Sequence, residues 1–78
     1  MATHAYVFVY VAAGRIEAVT RALTRLRGVR SAHACWGRPD VIAFVEASSQ
    51  TTLCQLVLGR IQRVRGVETT DTRLVIEG

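Results

Sequence analysis

The sequence predicts an α+β fold in which four strands and two helices follow the order βαββαβ. Three observations support this prediction. The segment Leu26-Arg27-Gly28-Val29 recurs as Val64-Arg65-Gly66-Val67, at an offset of 38 positions. A segment with apolar residues at helical spacing precedes each copy, and segments with alternating apolar residues flank both of them. The chain is therefore predicted to contain a strand-helix-strand unit twice.

Strands are predicted where β-branched and aromatic residues alternate or cluster between turn residues. The four predicted strands cover residues 5–11, 29–35, 41–47 and 67–76. The two predicted helices follow the first and third strands, since apolar residues recur there every three or four positions. Their apolar faces consist of Ile16, Val19, Leu23 and Leu26 in the first helix and Leu53, Val57, Ile61 and Val64 in the second.

The residues around these helices are typical of helix ends. Gly28 and Gly66 are placed where a helix needs a left-handed residue at its C-terminus, and each precedes a valine suited to start a strand. Gly14 is predicted to form the turn before the first helix, and Ser48 or Ser49 to cap the second.

Two βαβ units with right-handed crossovers predict a ferredoxin-like sandwich, a four-stranded antiparallel sheet with both helices on one face. Residues 1–78 are predicted to form a single domain, because a chain of 78 residues has room for one small core. A domain of this size buries only about 60% of its unfolded surface, so association with other subunits is expected.

The sheet face opposite the helices carries the first functional signal. In a two-layer domain this open face should be polar, yet the first strand is apolar on both sides and the third strand is similar. A chain this short has little left to cover such a face, so we expect a second copy to cover it and form a dimeric α/β barrel. The expected interface residues are Tyr6, Phe8, Tyr10 and Phe44.

Composition narrows the possible partners. The net charge is +4, but the ten basic residues, all arginine, are spread along the chain, which favours solvated helix faces over a nucleic-acid-binding stripe.

No apolar run approaches the roughly 18 residues of a membrane span, and the N-terminus lacks the basic segment of a secretory signal, so we predict a cytoplasmic location. Cys35 and Cys54 are predicted to be two buried thiols rather than a disulfide.

The βαββαβ order, the paired Arg-Gly-Val segments and the turn Gly37-Arg38-Pro39-Asp40 together resemble the C-terminal ligand-binding domain of Lrp/AsnC regulators. This domain is also called the regulation-of-amino-acid-metabolism domain, and the resemblance spans roughly residues 5–77. It implies dimers formed through the open sheet faces, further assembly into rings, and a small effector, commonly an amino acid, bound between dimers. Full-length members also carry a helix-turn-helix, and no such segment is predicted in this sequence. The sequence is therefore expected to be a stand-alone form. Its expected partners are itself and, by analogy, a full-length regulator.

The resemblance also implies a ligand site. The family's effector-loop pattern falls on Gly37 and Asp40, where Gly37 would let the backbone approach a ligand and Asp40 would accept hydrogen bonds from an ammonium group. Arg38 could pair with a ligand carboxylate or be an exposed turn residue, and Trp36 could shape the pocket or anchor an interface. Pro39 departs from the usual aromatic residue, which leaves the effector's identity open.

The second part of the implied site lies early in the last strand. The family often has two hydroxyl residues at alternate positions there, and they fall on Thr70 and Thr72. Alternate positions share a face of a strand, so both hydroxyls could hydrogen-bond one polar ligand. Threonine also suits strands for steric reasons alone.

Three alternatives share the same strand order. A small barrel-forming monooxygenase is the main one, but we find no paired carboxylates, no nucleophile arrangement and no complete metal site, so we predict a protein that is not an enzyme and needs no cofactor. An RNA-recognition motif fits poorly, because Asp40, Val41 and Ile42 stand where it needs a basic residue, a glycine and an aromatic. An amino-acid-binding ACT-like domain would use the turn at residues 12–15 but lacks the usual preceding proline.

Overall fold

The computed structural model describes residues 2–76, and its elements follow the predicted order. Strand bounds differ from the predicted ones by at most two residues. Both helices are present, with one additional 3-10 turn after the second. The elements are β1 (Thr3–Val11), α1 (Ile16–Thr24), β2 (Val29–Ala34), β3 (Val41–Ala47), α2 (Gln50–Gly59), the 3-10 helix (Ile61–Arg63) and β4 (Val67–Leu74).

The four strands form one antiparallel sheet in the order β2-β3-β1-β4. The two halves of the duplicated unit are thus interleaved, with β1 and β3 in the centre and β2 and β4 at the edges. This is the ferredoxin-like arrangement that the repeat predicted. In β1 and β3, which are central, side chains alternate between the helix-covered face and the open face.

The core lies between the sheet and the two helices. Each buried valine or leucine contributes about 1.5–3 kcal/mol relative to an exposed position, so this layer supplies most of the stability. The helices contribute Val19 and Leu23 from α1 and Leu53, Leu56 and Val57 from α2. The buried sheet residues are Ala5, Val7, Val9 and Val11 from β1, Ala32 from β2, and Val41, Ala43, Val45 and Ala47 from β3.

The repeated Arg-Gly-Val segments form two equivalent turns that lead into β2 and β4. Val29 N donates to Leu26 O at 3.1 Å, and Val67 N donates to Val64 O at 3.0 Å. In both turns the glycine occupies the third position with positive φ, 97° at Gly28 and 102° at Gly66. A type II turn requires this conformation. The predicted left-handed glycines are confirmed, but they belong to β-turns, because α1 already ends at Thr24.

The second helix is shorter than its apolar pattern predicted. It begins as expected, since the Ser49 hydroxyl accepts a hydrogen bond from Thr52 N at 3.1 Å. It ends at Gly59, and Arg60 at φ −125° leaves the helical region before Ile61 starts the 3-10 turn. Glycine is a poor helix former, so the chain bends here at low cost. Ile61 is still fully buried, although it lies outside the helix.

Two further observations bear on the composition. The prediction of two buried thiols was wrong: Cys35 is half-buried and Cys54 is exposed, because Cys54 lies on the outer side of α2. Both are free thiols, as expected. Within residues 2–76, none of the helices has the length and apolar character needed to cross a lipid bilayer.

Candidate functional site

The Gly37–Asp40 turn joins β2 to β3 at one end of the sheet. Cys35 N donates to Asp40 O at 2.8 Å, which closes the hairpin, and Asp40 N donates to Val9 O at 3.1 Å, which ties the hairpin to β1. Gly37 has φ 93°, and a Cβ placed there would meet no atom within 4 Å. The backbone at Gly37 is therefore open to an approaching molecule.

Asp40 is the one buried charged residue among those described, with 8% of its surface exposed. Its Oδ2 atom accepts a hydrogen bond from Val11 N at 2.8 Å and another from Arg38 Nη1 at 3.1 Å. The carboxylate oxygen thus accepts from Val11 N as a backbone carbonyl of a neighbouring strand would. This hydrogen bond extends the β1–β3 pairing beyond its last residue pair, Val9 and Val41. Any ligand that bound Asp40 would do so while these two contacts hold the carboxylate in position.

Arg38 connects the hairpin to the open sheet face. Its side chain is 61% exposed, and it pairs with Asp40 as described. Its Cζ atom also lies 4.8 Å from the centre of the Tyr10 ring, within the range of a cation–π contact. The hairpin and the aromatic face therefore share one guanidinium.

Replacing Asp40 with alanine is expected to lower the free energy of unfolding by about 2–3 kcal/mol, because the buried Val11 N–H loses a charged acceptor. Asp40→Asn keeps an acceptor oxygen and should lose less than half as much. Urea unfolding followed by circular dichroism measures both. Equal and small losses in the two variants would contradict the assigned role of the carboxylate.

Thr70 and Thr72 lie on the helix-covered side of β4. They pair across the ladder with Val9 and Val7, both of which are buried under the helices, so the prediction that the threonines share a face is confirmed. The Thr70 hydroxyl accepts a hydrogen bond from Gln62 Nε2 at 2.8 Å. Both threonines line a groove of about 310 Å³ between α2 and the free edge of β4.

The structure does not bring the two predicted parts of the site together within one chain. Thr70 and Asp40 both neighbour Val9, but from opposite sides, because β1 lies between β3 and β4. Two strand spacings separate them by about 10 Å. The residues lining the groove beside the threonines do not include the hairpin.

The open face has an aromatic centre on β1 and β3. The Tyr6 and Phe44 rings lie 4.9 Å apart, and the His4 ring stacks on Phe44 at 5.4 Å. Tyr6 is 47% exposed, whereas Phe8 is half-buried with Arg73 Cζ 5.6 Å from its ring centre. All four predicted interface residues thus lie on one face, next to one another.

Charges around this aromatic centre are paired within the chain. Arg30 Nη1 donates to Glu46 Oε1 at 2.6 Å, and Arg73 donates to Asp71. The hydrogen bond to Asp71, together with its negative charge, raises the pKa of Arg73 above its ordinary value. With the Arg38–Asp40 pair, each of these three arginines on the sheet side has a carboxylate partner.

Other candidate chemistry is limited. In the part of the chain that the structure describes, no three His, Cys, Asp or Glu residues come together as a metal site. Trp36, which directly precedes the Gly37–Asp40 turn, is fully exposed. It therefore does not line a pocket there within one chain. Sequence reasoning missed the Asp40–Val11 and Arg38–Tyr10 contacts, since neither leaves a local pattern.

The strand order β2-β3-β1-β4 and the two helices on one face define the chain as a ferredoxin-like α+β domain. A family model of the Lrp/AsnC ligand binding domain matches residues 4–78, so the chain belongs to this family. Among curated protein sequences, none matches this chain.

Solved structures agree on the fold. A protein of Thermus thermophilus is 26% identical, with a TM-score of 0.90 over 97% of this chain and 95% of that one. Escherichia coli AsnC is 18% identical with a TM-score of 0.89, and this chain spans 52% of its length. A transcriptional regulator of Neisseria meningitidis, solved as a complex with L-Met, is 17% identical with a TM-score of 0.83, covering 96% of this chain and 50% of that one.

Proposed function

We propose that this domain binds an amino acid at the Gly37–Asp40 hairpin and acts as a regulatory assembly module that does not transform its ligand. The match to the Lrp/AsnC ligand binding domain over residues 4–78 carries this proposal. The complex of the Neisseria regulator with L-Met makes an amino acid the first ligand to test.

The hairpin offers complementary groups for the two charges of an amino acid. The exposed guanidinium of Arg38 suits a carboxylate, and the fixed carboxylate of Asp40 suits an ammonium group. The open backbone at Gly37 allows close approach. Because β1 separates this hairpin from Thr70 and Thr72, the two threonines reach the same ligand only if a second subunit supplies them.

Assembly through the open sheet face forms the second part of the proposal. The contact would centre on Tyr6, Phe8, Tyr10 and Phe44, and a two-fold dimer would place this patch against itself. An unpaired charge near the axis would then meet its own copy. The three arginines at the edge of the face are already paired with carboxylates, so the face meets its copy without net repulsion. The same face would also accept a full-length regulator of the family.

A thermal-unfolding screen against the twenty amino acids tests the ligand. A ligand present at about 100 times its dissociation constant adds about 2.7 kcal/mol of stability, a shift easily seen in so small a domain. One or a few amino acids are expected to raise the midpoint of unfolding.

Two variants locate the response. Arg38→Gln should abolish most of the shift, whereas Arg21→Gln should retain it. Arg21 is a matched control because its side chain is also 61% exposed and also pairs with a carboxylate, that of Glu17. If none of the twenty amino acids raises the midpoint of unfolding, they are excluded as effectors. If the ligand shifted the midpoint of unfolding equally in wild type and Arg38→Gln, the hairpin would not be part of the ligand site.

A further inference from the structure

Positive charge is distributed unevenly between the two layers. On the sheet side Arg30, Arg38 and Arg73 are each neutralised by a carboxylate. On the helix layer and its adjoining turns, Arg21 pairs with Glu17. Within residues 2–76 no ion pair is formed by the remaining six arginines, Arg15, Arg25, Arg27, Arg60, Arg63 and Arg65. Among the described residues, the unpaired arginines thus lie on the helix layer and its adjoining turns.

Two of these unpaired arginines line the same groove. A cavity of about 380 Å³ lies between the turn before β2, the end of β3 and one side of α2. Arg27 lines it from the turn and Arg60 from the end of α2. Ser48, Thr52 and Gln55 add two hydroxyls and an amide to its wall.

At one side of the groove the turn packs closely against its neighbours at Gly28. A Cβ at this position would lie 2.9 Å from Leu56 Cδ2 and 3.1 Å from Glu46 O, so the turn touches α2 and β3 directly. The contact fixes the turn that carries Arg27 relative to the helix that precedes Arg60. The backbone at Arg27 is therefore held beside α2 by the core packing.

Glu46, the single carboxylate in the groove lining, does not neutralise these arginines. Its Oε1 atom accepts from Arg30 Nη1 at 2.6 Å and lies 3.6 Å from His4 Nε2. Arg27 and Arg60 have no carboxylate partner in the described part of the chain. The groove therefore has two positive charges, two hydroxyls and an amide, and no carboxylate of the described residues pairs with its two arginines.

We infer that this groove is a second ligand site, one that binds a phosphoryl group of a small anionic metabolite. A phosphoryl group carries up to two negative charges and several acceptor oxygens, which match two guanidinium groups and flanking hydroxyl donors. The hairpin lies at the start of β3 and the groove at its end. Seven strand residues separate them by about 20 Å, so this site is distinct from the proposed amino-acid site.

Titration of the full chain with inorganic pyrophosphate tests the site, with binding followed by amide chemical shifts in nuclear magnetic resonance. Wild-type protein is expected to show saturable shifts at Gly28, Ser48 and Thr52. The double variant Arg27→Gln/Arg60→Gln should bind at least tenfold more weakly. The matched control Arg25→Gln/Arg63→Gln removes the same charge from exposed positions outside the groove, and its affinity should stay within twofold of wild type.

Three outcomes would overturn the inference. Wild-type protein without saturable shifts has no such site. Equal weakening in both double variants indicates diffuse attraction to the basic layer. Duplex DNA that binds more tightly than pyrophosphate, with the same sensitivity in both double variants, assigns the basic layer to a nucleic-acid backbone. The amino-acid screen provides an independent readout, since Arg27→Gln/Arg60→Gln should keep its response at the hairpin.

Discussion

Replacing Phe8 with glutamate is expected to prevent the proposed sheet-to-sheet dimer from forming, so that the variant is a monomer at micromolar concentration. Phe8 lies in the aromatic centre of the open face, and two copies of the variant would bring two carboxylates together in an apolar contact. A buried and unpaired charge in such an interface costs several kcal/mol. Sedimentation velocity or light scattering measures the change in mass.

The matched control is Ala18→Glu, which adds the same charge at an exposed position of α1 on the opposite layer. This variant should keep the native mass. Circular dichroism should show that both variants remain folded. A Phe8→Glu protein with unchanged mass would rule out the sheet face as the contact between subunits.

Replacing Gly66 with alanine is expected to lower the free energy of unfolding by about 2–5 kcal/mol. A left-handed conformation costs a residue with a Cβ about 1–2 kcal/mol. The new Cβ would also lie 2.9 Å from Arg15 Cβ and 3.0 Å from Val19 Cγ2, and such overpacking adds about 1–3 kcal/mol. Chemical denaturation at constant ionic strength measures the difference.

Gly14→Ala separates these two contributions. Gly14 also has positive φ, 81°, but a Cβ there would meet no atom within 4 Å. Its loss should be confined to the conformational cost of about 1–2 kcal/mol. If the two variants were equally destabilised, the contact between Gly66 and α1 would contribute nothing.

The fold was predictable because its signals are local and occur twice. Alternation in β1 and β3 and the two Arg-Gly-Val turns specify where strands begin and which side chains share a face. The end of α2 was not predictable in the same way. Ile61 and Val64 continue the helical spacing, and Ile61 is buried, yet the chain leaves the helix at Gly59 to reach β4. Apolar periodicity reports burial, and it does not distinguish a continuing helix from a 3-10 turn.

The candidate site was predictable only in part. The alternation of Thr70 and Thr72 predicted that they share a face. That β1 lies between these threonines and the hairpin depends on the strand order of the whole sheet, which no local pattern gives. The contact between Asp40 and Val11 joins residues 29 positions apart, so no local pattern indicates it. The pairing of arginines is similar: all ten look alike along the sequence, and only the packed layers separate the neutralised ones from the unpaired ones.

Arg38 links the hairpin to the open sheet face through two contacts of its guanidinium. Its guanidinium donates to Asp40 and also lies over the ring of Tyr10. In the proposed dimer, a ligand carboxylate that drew the guanidinium away would uncover an aromatic surface at the contact between subunits. Coupling of this kind is reciprocal. If dimers bind the ligand better than monomers do, each bound ligand must strengthen the dimer by the same factor. The apparent affinity of the ligand will then vary with protein concentration.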